Sequence, residues 1–367
     1  MKYRTLGAVA ILLAVSIVCF VPSGDVNANV PSIDVEDGLG NEFSFDSPAE
    51  HIMTIGKGFT ATAIGIGMVD KIVVCDSYSK TDKDPLFDDL RKLIDEGSIA
   101  AGGNIYSGKD QLKNDVINAA DPDTGVFDME KDVVFISVSA TYGGDVVSYL
   151  KEKGFKNVMQ WYDITSYDKV IELVETMSKV CTGGIVSEVD RMNYVIDNIA
   201  SEVNDNVEVK IKAFYVTYSG NAFKVGNAGS LATSMILAAG GDVITINPDY
   251  NGSTYETNLT KLVEENKDVV IFVDNSVATN DSRLSELRTL VGDDTRLVAL
   301  KAIWNNYCPE SLEGVWTMAS AMYPDLFKGD IPEIGSGESD TMFYVGIAVS
   351  VVIVIAVAAF LLMRRNA

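Results

Sequence analysis

Short apolar runs separated by helix-like stretches are the feature that most restricts the fold of this chain. Four runs lie in the first half, at 52–55, 71–74, 133–138 and 157–161, and four in the second, at 211–217, 243–246, 269–273 and 297–300. Continuously apolar strands that alternate with helices are typical of parallel sheets covered on both faces. The pattern therefore predicts an α/β protein with two lobes, each built on a four-stranded parallel sheet.

Helical segments join the two sets of strands. Apolar residues recur at helical spacing from 166 to 181, and again from 185 to 203, where no glycine or proline interrupts the pattern. This predicts one long helix between the lobes. Because bending a continuous helix costs more than rotating a loop hinge, we expect only a small closing motion around a ligand.

The first 28 residues have the parts of a secretory signal peptide. Lys2 and Arg4 precede an apolar run from 6 to 21, and Val26-Asn27-Ala28 places small or aliphatic residues before a cleavage site. Cleavage near Ala28 is expected. An uncleaved membrane anchor is the alternative, although the run is shorter than the ~20 residues of a membrane span.

A second apolar run, from 342 to 363, predicts a transmembrane helix. It holds 22 residues without a charge, and Arg364-Arg365 follows at once. The length fits a bilayer core of ~30 Å, and the basic pair fits the preference for Lys and Arg on the cytoplasmic side. We therefore expect a single-pass protein of the cell membrane with its folded part outside the cell. A buried core helix is the alternative.

These features divide the chain into seven predicted parts. They are a signal peptide (1–28), an N-terminal α/β lobe (29–165), connecting helices (166–205), a C-terminal α/β lobe (206–328), a linker (329–341), the transmembrane helix (342–363) and a cytoplasmic tail (364–367). The region between signal and membrane helix is too long for one hydrophobic core and suits two lobes. An acidic segment from 110 to 130 is predicted to be an irregular insertion, and a monomer is expected.

Composition argues against several classes of function. With 52 acidic and 29 basic residues the formal net charge is −23, which disfavours binding to nucleic acid. His51 is the only histidine, so a histidine-rich zinc site is excluded and Ser-His-Asp or Cys-His catalysis is disfavoured. Cys75, Cys181 and Cys308 form no CxxC motif, and which two of them could pair is left open. We expect neither an enzyme nor a cofactor.

Several segments occur in an order that is similar to one known family. Residues 33–43 (IDVEDGLGNEF) are similar to its opening hairpin, residues 60–74 (TATAIGIGMVDKIVV) to its first helix and second strand, and residues 226–242 (GNAGSLATSMILAAGGD) to a segment that ends in Ala-Gly-Gly. Over roughly residues 33–327 the chain resembles the iron-siderophore and cobalamin class of substrate-binding proteins of ABC transporters. Lys131 and Lys267 depart from the pattern, because the family usually has proline there.

The resemblance implies a protein that captures a metal chelate and delivers it to a membrane permease. In this family one glutamate on each lobe often meets arginines of the permease. Glu256 is the candidate on the second lobe, and Asp110 and Asp115 are the candidates on the first. A cell-surface receptor or adhesin on the same fold is the alternative function, since a fold does not fix a function.

Loops after the carboxyl ends of the strands are the expected binding site, because ligands of open α/β sheets bind there. These loops are rich in aromatic residues, Asn, Ser and Gly, which suits a large and mostly neutral ligand. For any one aromatic residue, packing within its own lobe is the alternative. The predicted ligand-binding residues are Lys57, Phe59, Thr60, Tyr78, Tyr142 and Trp161 on the first lobe, and Tyr218, Asn221, Phe223, Tyr255, Asn275, Trp304 and Asn305 on the second.

The charged residues near these loops narrow the range of expected ligands. Every arginine between 29 and 341 lies outside these loops, and Lys57, Lys224 and Lys301 are the nearby cations. Arginine is the residue that holds carboxylates and catecholates through two parallel hydrogen bonds. A highly anionic ferric catecholate is therefore disfavoured, and a corrinoid or a neutral or weakly charged iron chelate is expected.

Overall fold

The computed structural model describes residues 32–139, 141–162 and 164–333. The predicted signal peptide (1–28), transmembrane helix (342–363) and tail (364–367), together with linker residues 334–341, lie outside the described residues. Within the described residues, no helix combines the length and the apolar character that crossing a bilayer requires.

An antiparallel hairpin of β1 (Ile33–Glu36) and β2 (Glu42–Phe45) opens the described chain, as the family resemblance implied. Asp37 organises its turn, because one carboxylate oxygen accepts from the backbone N–H groups of Leu39 and Asn41, each at 2.9 Å. The second oxygen accepts from the backbone N–H of Gln160 at 3.0 Å, which fixes the hairpin to the edge of the first sheet.

The first sheet is parallel, as predicted. Its strands are β3 (Ile52–Ile55), β4 (Ile72–Cys75), β5 (Val133–Ser137) and β6 (Asn157–Trp161), in the order β4-β3-β5-β6. Between and beside them lie α1 (Lys57–Gly65), α2 (Ser77–Thr81), α3 (Asp88–Asp95), α4 (Lys109–Ala119) and α5 (Gly144–Glu152). The segment predicted to be an irregular insertion is therefore helical over its first part. Leu112 and Val116, one helical turn apart, bury that helix against the sheet.

The second sheet is mixed, which corrects the prediction of a purely parallel one. Its strands are β7 (Lys212–Ser219), β8 (Ala222–Gly226), β9 (Asp242–Val243), β10 (Thr254–Tyr255), β11 (Val270–Val273) and β12 (Arg296–Ala299). The order is β10-β8-β7-β11-β12, with β9 beside the first residues of β7. Strand β8 runs antiparallel to β7 and to β10. Its turn consists of Gly220 and Asn221, which adopt φ angles of 61° and 66°, as a two-residue hairpin turn requires.

Two helices lie between the sheets in the sequence, α6 (Tyr167–Thr182) and α7 (Ser187–Asn206). The helices that accompany the second sheet are α8 (Leu231–Ala238), α9 (Leu259–Glu265), α10 (Asn275–Ala278), α11 (Asp281–Val291) and α12 (Ser311–Met322). Gly183, with φ 82°, ends α6 in the left-handed conformation. The 20 residues of α7 span about 30 Å and bury one face only.

One hydrophobic cluster joins the two sheets. It contains residues of β3, β5, α6, α7, β7, α8 and α12, so the connecting helices share a core with both sheets. Val189, Met192, Val195, Ile199 and Val203 are the residues with which α7 contributes to it. Two smaller clusters cover the other faces of the first and second sheets. A shared core resists relative motion of the sheets, since separating them exposes apolar surface.

Candidate functional site

A cleft of about 440 Å³ lies at the carboxyl ends of β3, β4 and β5. This volume is within the usual range of small-molecule sites. The first turns of α1 and α2, the loop before α4, and one residue from the second-sheet side form its walls. The lining residues are Ile55, Gly56, Lys57, Gly58, Phe59, Asp76, Tyr78, Thr81, Asp82, Asn104, Ile105, Tyr106, Ser137 and Tyr307.

Asp76 fixes the floor of the cleft. As the N-cap of α2 it accepts through Oδ1 from the backbone N–H groups of Tyr78 and Ser79, at 2.8 and 3.2 Å. Its Oδ2 accepts from the Gly56 N–H at 3.2 Å and from the Ser79 hydroxyl at 2.9 Å. Burial raises the pKa of Asp76, and the hydrogen bonds that it accepts oppose the rise. One carboxylate thus holds the starts of α1 and α2 together.

Hydroxyl groups extend this network beneath the floor. The Ser79 Oγ lies 2.9 Å from Thr60 Oγ1, which in turn lies 2.9 Å from Thr54 Oγ1. All three side chains are fully buried. Thr60 was predicted to touch the ligand, whereas the structure places it in this support beneath the cleft.

Lys57 lines the cleft and forms an ion pair there. Its Nζ lies 2.9 Å from Asp82 Oδ2, and both side chains are partly exposed. Asp82 also accepts from the Asp84 N–H at 2.9 Å. These hydrogen bonds and the lysine charge outweigh partial burial, so that the pKa of Asp82 lies below its ordinary value.

Three tyrosines, called here the tyrosine rim, stand at the mouth of the cleft. Tyr78, Tyr106 and Tyr142 are 49%, 51% and 40% exposed. The ring centroids of Tyr78 and Tyr106 are 6.1 Å apart, and those of Tyr106 and Tyr142 are 4.9 Å apart with their planes at 66°. Exposed rings in mutual contact offer flat apolar surface to a ligand.

Tyr307 brings the second-sheet side into the cleft. Its ring lies over Gly58, where a Cβ atom would be 2.5 Å from the ring carbon Cδ2, so that only glycine permits this approach. The Thr62 hydroxyl donates to the Tyr307 carbonyl, and the hydroxyls of Tyr167 and Ser311 are 3.1 Å apart. Residues 307–311 are thereby fastened to α1 and α6, which holds the two sides of the cleft together.

Two predicted aromatic residues of the first half are core residues in the structure. Phe59 and Trp161 are almost fully buried, and their ring centroids lie 5.5 Å apart. Gly38 of the opening hairpin covers the Trp161 ring so closely that a Cβ atom would be 2.2 Å from it. Phe59 still borders the cleft, whereas Trp161 is not part of its lining.

The predicted residues of the β7–β8 hairpin pack on one another. Tyr218 and Phe223 are cross-strand partners with ring centroids 5.1 Å apart, and Asn221 forms the turn. The guanidinium of Arg283, from α11, lies 4.3 Å from the centre of the Tyr218 ring. Tertiary structure therefore brings an arginine to a loop that, in the sequence, has none nearby.

The other predicted residues are spread over the second-sheet side. Asn305 donates to the Tyr215 hydroxyl at 3.5 Å, and that hydroxyl donates to Asp274 Oδ2 at 2.5 Å, one residue before Asn275. The Tyr255 hydroxyl donates to the Thr245 carbonyl at 2.9 Å. None of Tyr255, Asn275 and Asn305 is in the lining of the cleft.

Trp304 lies in a separate depression of about 430 Å³, beside Trp316 and Arg191. Its indole N–H donates to Glu313 Oε2 at 3.1 Å, and the Lys301 ammonium stands 4.8 Å from the centre of its ring. Trp304 therefore packs against residues of its own lobe, which was the alternative considered for each aromatic residue.

Sequence reasoning missed Asn104 and Tyr106, although a signal was present. Ala100 forms a parallel bridge with Val74 at the edge of the first sheet, and the following segment, residues 102–108, is rich in Gly and Ser. A glycine-rich loop directly after a strand-like residue marks the same sheet edge as the loops that were nominated. The bridge is too short to leave an apolar run in the sequence.

The candidates for permease docking occupy different environments. Glu256 is exposed between β10 and α9, and Asp110 is exposed in the first turn of α4. Asp115 is buried instead, accepting from the Gly102 N–H at 2.7 Å and from Gln111 Nε2 at 2.8 Å. Asp115 therefore supports the loop before α4 and is not available to another protein.

The three cysteines of the described residues do not pair with one another. Cys75, Cys181 and Cys308 are free and buried. Burial raises the pKa of the Cys181 thiol to about 12 and raises that of the other two thiols as well. In the part of the chain that the structure describes, no group of three or more His, Cys, Asp or Glu side chains could hold a metal ion.

Comparison with known proteins identifies the fold. No family model and no curated protein matches the sequence. Among solved structures, CeuE of Helicobacter pylori, in a nickel–histidine complex, matches with a TM-score of 0.56 and 17% identity, over 82% of this chain and 91% of that chain. The periplasmic vitamin B12 binding protein BtuF of Vibrio cholerae matches with a TM-score of 0.52 and 17% identity, over 76% and 98%. The periplasmic heme-binding protein RhuT from Roseiflexus sp. RS-1 matches with 0.51 and 16%, over 75% and 98%.

These matches confirm, at the level of the fold, the resemblance to the iron-siderophore and cobalamin class of binding proteins. They contradict the predicted localisation as a single-pass membrane protein. BtuF and RhuT are described as periplasmic, and no helix of residues 32–333 could span a bilayer. The prediction depended on the length and hydropathy of residues 342–363 and on the basic pair Arg364-Arg365, all of which lie outside the described residues.

Proposed function

We propose that this chain is the solute-binding component of an ABC importer and that it captures a metal chelate, of the corrinoid or ferric type, in the cleft at the carboxyl ends of β3, β4 and β5. The observation that carries the proposal is the cleft itself. It lies where ligands of α/β sheets bind, and residues from both sides of the connecting helices form it.

The chemistry of the lining favours binding over catalysis. Its residues include tyrosines, an asparagine, a serine and one ion pair, but no histidine or cysteine. The carboxylate in the floor, Asp76, accepts four hydrogen bonds from protein groups and is thus committed to structure. A general base needs a proton acceptor within reach of the substrate, and no such group stands out here.

The contacts across the cleft favour a small motion on binding. Tyr307 rests in the space left by Gly58, and Thr62 donates to its carbonyl. These contacts, and the core shared through α6 and α7, would have to break for the two sides to separate widely. We expect a ligand to enter past the tyrosine rim with shifts of side chains and loops.

Docking on a permease would use acidic side chains on both sides of the cleft. Glu256 is exposed between β10 and α9, and Asp110 is exposed in the first turn of α4. Charge reversal at both positions, to lysine, should reduce chelate-stimulated ATP hydrolysis by the cognate permease while leaving chelate affinity unchanged. Unchanged stimulation would remove these two residues from the interface.

The proposed function is tested by calorimetric and thermal titration of the full chain with cobalamin, cobinamide, hemin and ferric hydroxamate chelates. A ligand at 100 times its Kd stabilises the folded state by about 2.7 kcal/mol, which for a fold of about 300 residues corresponds to a rise in Tm of roughly 4 °C. Tyr106→Leu should weaken binding several-fold and thereby reduce that rise by about a third. Tyr194→Leu, which removes an equally exposed tyrosine from the outer face of α7, is the matched control. Absence of binding by every chelate would refute the proposal.

A further inference from the structure

The charged side chains of the cleft leave an excess of carboxylate. Lys57, Asp76 and Asp82 are the charged residues in its lining. The Lys57 ammonium is already offset, because it lies 2.9 Å from Asp82 Oδ2. Asp76 accepts from backbone and hydroxyl groups, and no lysine or arginine of the described residues forms an ion pair with it. A cation that entered the cleft would meet a carboxylate without a counter-charge.

Two other basic residues near the cleft, Arg91 and Lys109, pair with carboxylates outside its lining. The Lys109 ammonium lies 3.0 Å from Asp145 Oδ1, joining the first turns of α4 and α5. Arg91 pairs with Asp88 and donates to the carbonyl of Asp82 from behind the cleft. Neither basic residue is in the lining. An anionic ligand would therefore find no uncompensated positive side chain there.

The tyrosine rim adds a second attraction for positive charge. The face of an aromatic ring carries partial negative charge, and a cation within about 6 Å of the ring centre is attracted to it. Three such rings, each at least 40% exposed, stand in contact with one another at the mouth. Burial raises the pKa of Asp76 behind them, and a nearby cation would reduce that electrostatic cost.

We infer that the cleft selects ligands whose entering end is positively charged: a cationic metal chelate, or a chelate that carries an ammonium group. This inference rests on the proposed function and adds the sign of the ligand's charge, which the likeness of fold does not supply. The carboxylates and the tyrosine rim attract the positive end, and the absence of a free basic group in the lining disfavours anionic ligands.

Matched pairs of chelates test the inference, because the members of each pair differ in charge and share a metal core. The first pair is ferrioxamine B, with its ammonium tail, and the same chelate with that amine succinylated to a carboxylate. The second pair is cobinamide, which is cationic, and cobyrinic acid, in which the side-chain amides are carboxylates. Affinities of the full chain are measured by isothermal titration calorimetry at low and at high salt.

The expected result is that the cationic member of at least one pair binds about tenfold or more tightly than its anionic partner, and that added salt narrows the difference. Asp82→Asn, which leaves Lys57 without its partner, should weaken the cationic chelate and strengthen the anionic one. Asp88→Asn is the control, since it removes an exposed carboxylate that pairs with Arg91 outside the lining. Tyr106→Phe should retain cation binding, and Tyr106→Leu should weaken it several-fold.

The outcomes separate the inference from the proposed function. If chelates bind but the two members of each pair have equal affinity, or the anionic member binds more tightly, the charge selectivity is refuted and the proposed function stands. If Asp82→Asn and Asp88→Asn change the affinities equally, the selectivity does not come from the cleft. If no chelate of either pair binds but cobalamin or hemin does, the inference alone is refuted. If none of these chelates binds, the proposed function fails and the inference fails with it.

Discussion

Replacement of Asp76 tests whether one buried carboxylate supports the cleft. In Asp76→Ala the cap of α2 is lost, at about 1 kcal/mol. The buried Ser79 hydroxyl and the half-buried Gly56 N–H lose their acceptor, at about 1 kcal/mol each. The sum is a loss of about 3 kcal/mol in the free energy of unfolding. Asp76→Asn should lower the free energy of unfolding by only about 1 kcal/mol. Asparagine is a good N-cap, and only the hydrogen bond from the Gly56 N–H is lost.

Both variants remove the buried negative charge. The difference between their free energies of unfolding therefore measures the hydrogen bonds that residue 76 accepts. Urea titration followed by circular dichroism would measure it, with Asp84→Ala as the control. Asp84 caps the neighbouring 3₁₀ turn through one hydrogen bond to the Leu86 N–H at 3.0 Å, and its loss should cost under about 1 kcal/mol. If the Ala and Asn variants of Asp76 were equally stable, the network would not be the support described here.

The pH dependence gives a second readout of the same carboxylate. Since burial raises the pKa of Asp76 above 3.8, the folded state binds this proton more tightly than the unfolded state. The associated stability is present in full below pH 3.8 and is lost as the pH rises through the folded-state pKa. The wild type should therefore lose stability relative to Asp76→Asn as the pH rises through this window. A difference that stays constant with pH would contradict the direction of the shift.

Three further predictions concern the core and the second-sheet side. Lys71→Met should lower the free energy of unfolding by about 2 kcal/mol, because the Lys71 ammonium donates to the carbonyls of Ala49 and Cys181, each at 2.7 Å. Lys156→Met, at an exposed lysine, is the control. Tyr215→Phe should cost about 1–2 kcal/mol in denaturant titration, since its hydroxyl donates to Asp274, and a neutral result would show that water replaces this bond. Because their thiols are buried and have raised pKa values, Cys75, Cys181 and Cys308 should resist iodoacetamide in the native protein and react with it in urea. Peptide mapping would locate the labelled cysteines, and rapid labelling of the native protein would contradict their burial.

Much of the first sheet could be read from the sequence because its strands are mostly apolar. The run at 52–55 coincides with the fully buried β3, and the run at 157–161 coincides with the edge strand β6, in which Asn157 and Gln160 are only partly buried. Strand β8 escaped prediction because its partly exposed positions interrupt the apolar pattern. The Gly220-Asn221 turn before it was a usable signal, because such a pair between two strand-like runs favours a hairpin.

The cleft lies at the sheet edge that the sequence nominates, although only some of the nominated residues line it. Lys57, Phe59 and Tyr78 line the cleft, and Tyr142 reaches its rim, because the carboxyl ends of β3, β4 and β5 meet at one edge. Trp161 follows the same rule and is nevertheless covered by Gly38 of the hairpin, a contact between residues more than a hundred positions apart. Position along a strand does not reveal which loop folds back over it.

The sequence by itself determined the alternation of strands and helices, the long connecting helix and the acidic charge, because periodicity and composition are local properties of the chain. Tertiary structure decided which side chains share a space. It placed Tyr307 over Gly58, assembled Tyr78, Tyr106 and Tyr142 into one rim, and put Asp82 beside Lys57. These contacts join segments distant in the sequence, and only the packing of sheets and helices around a common core fixes their distances.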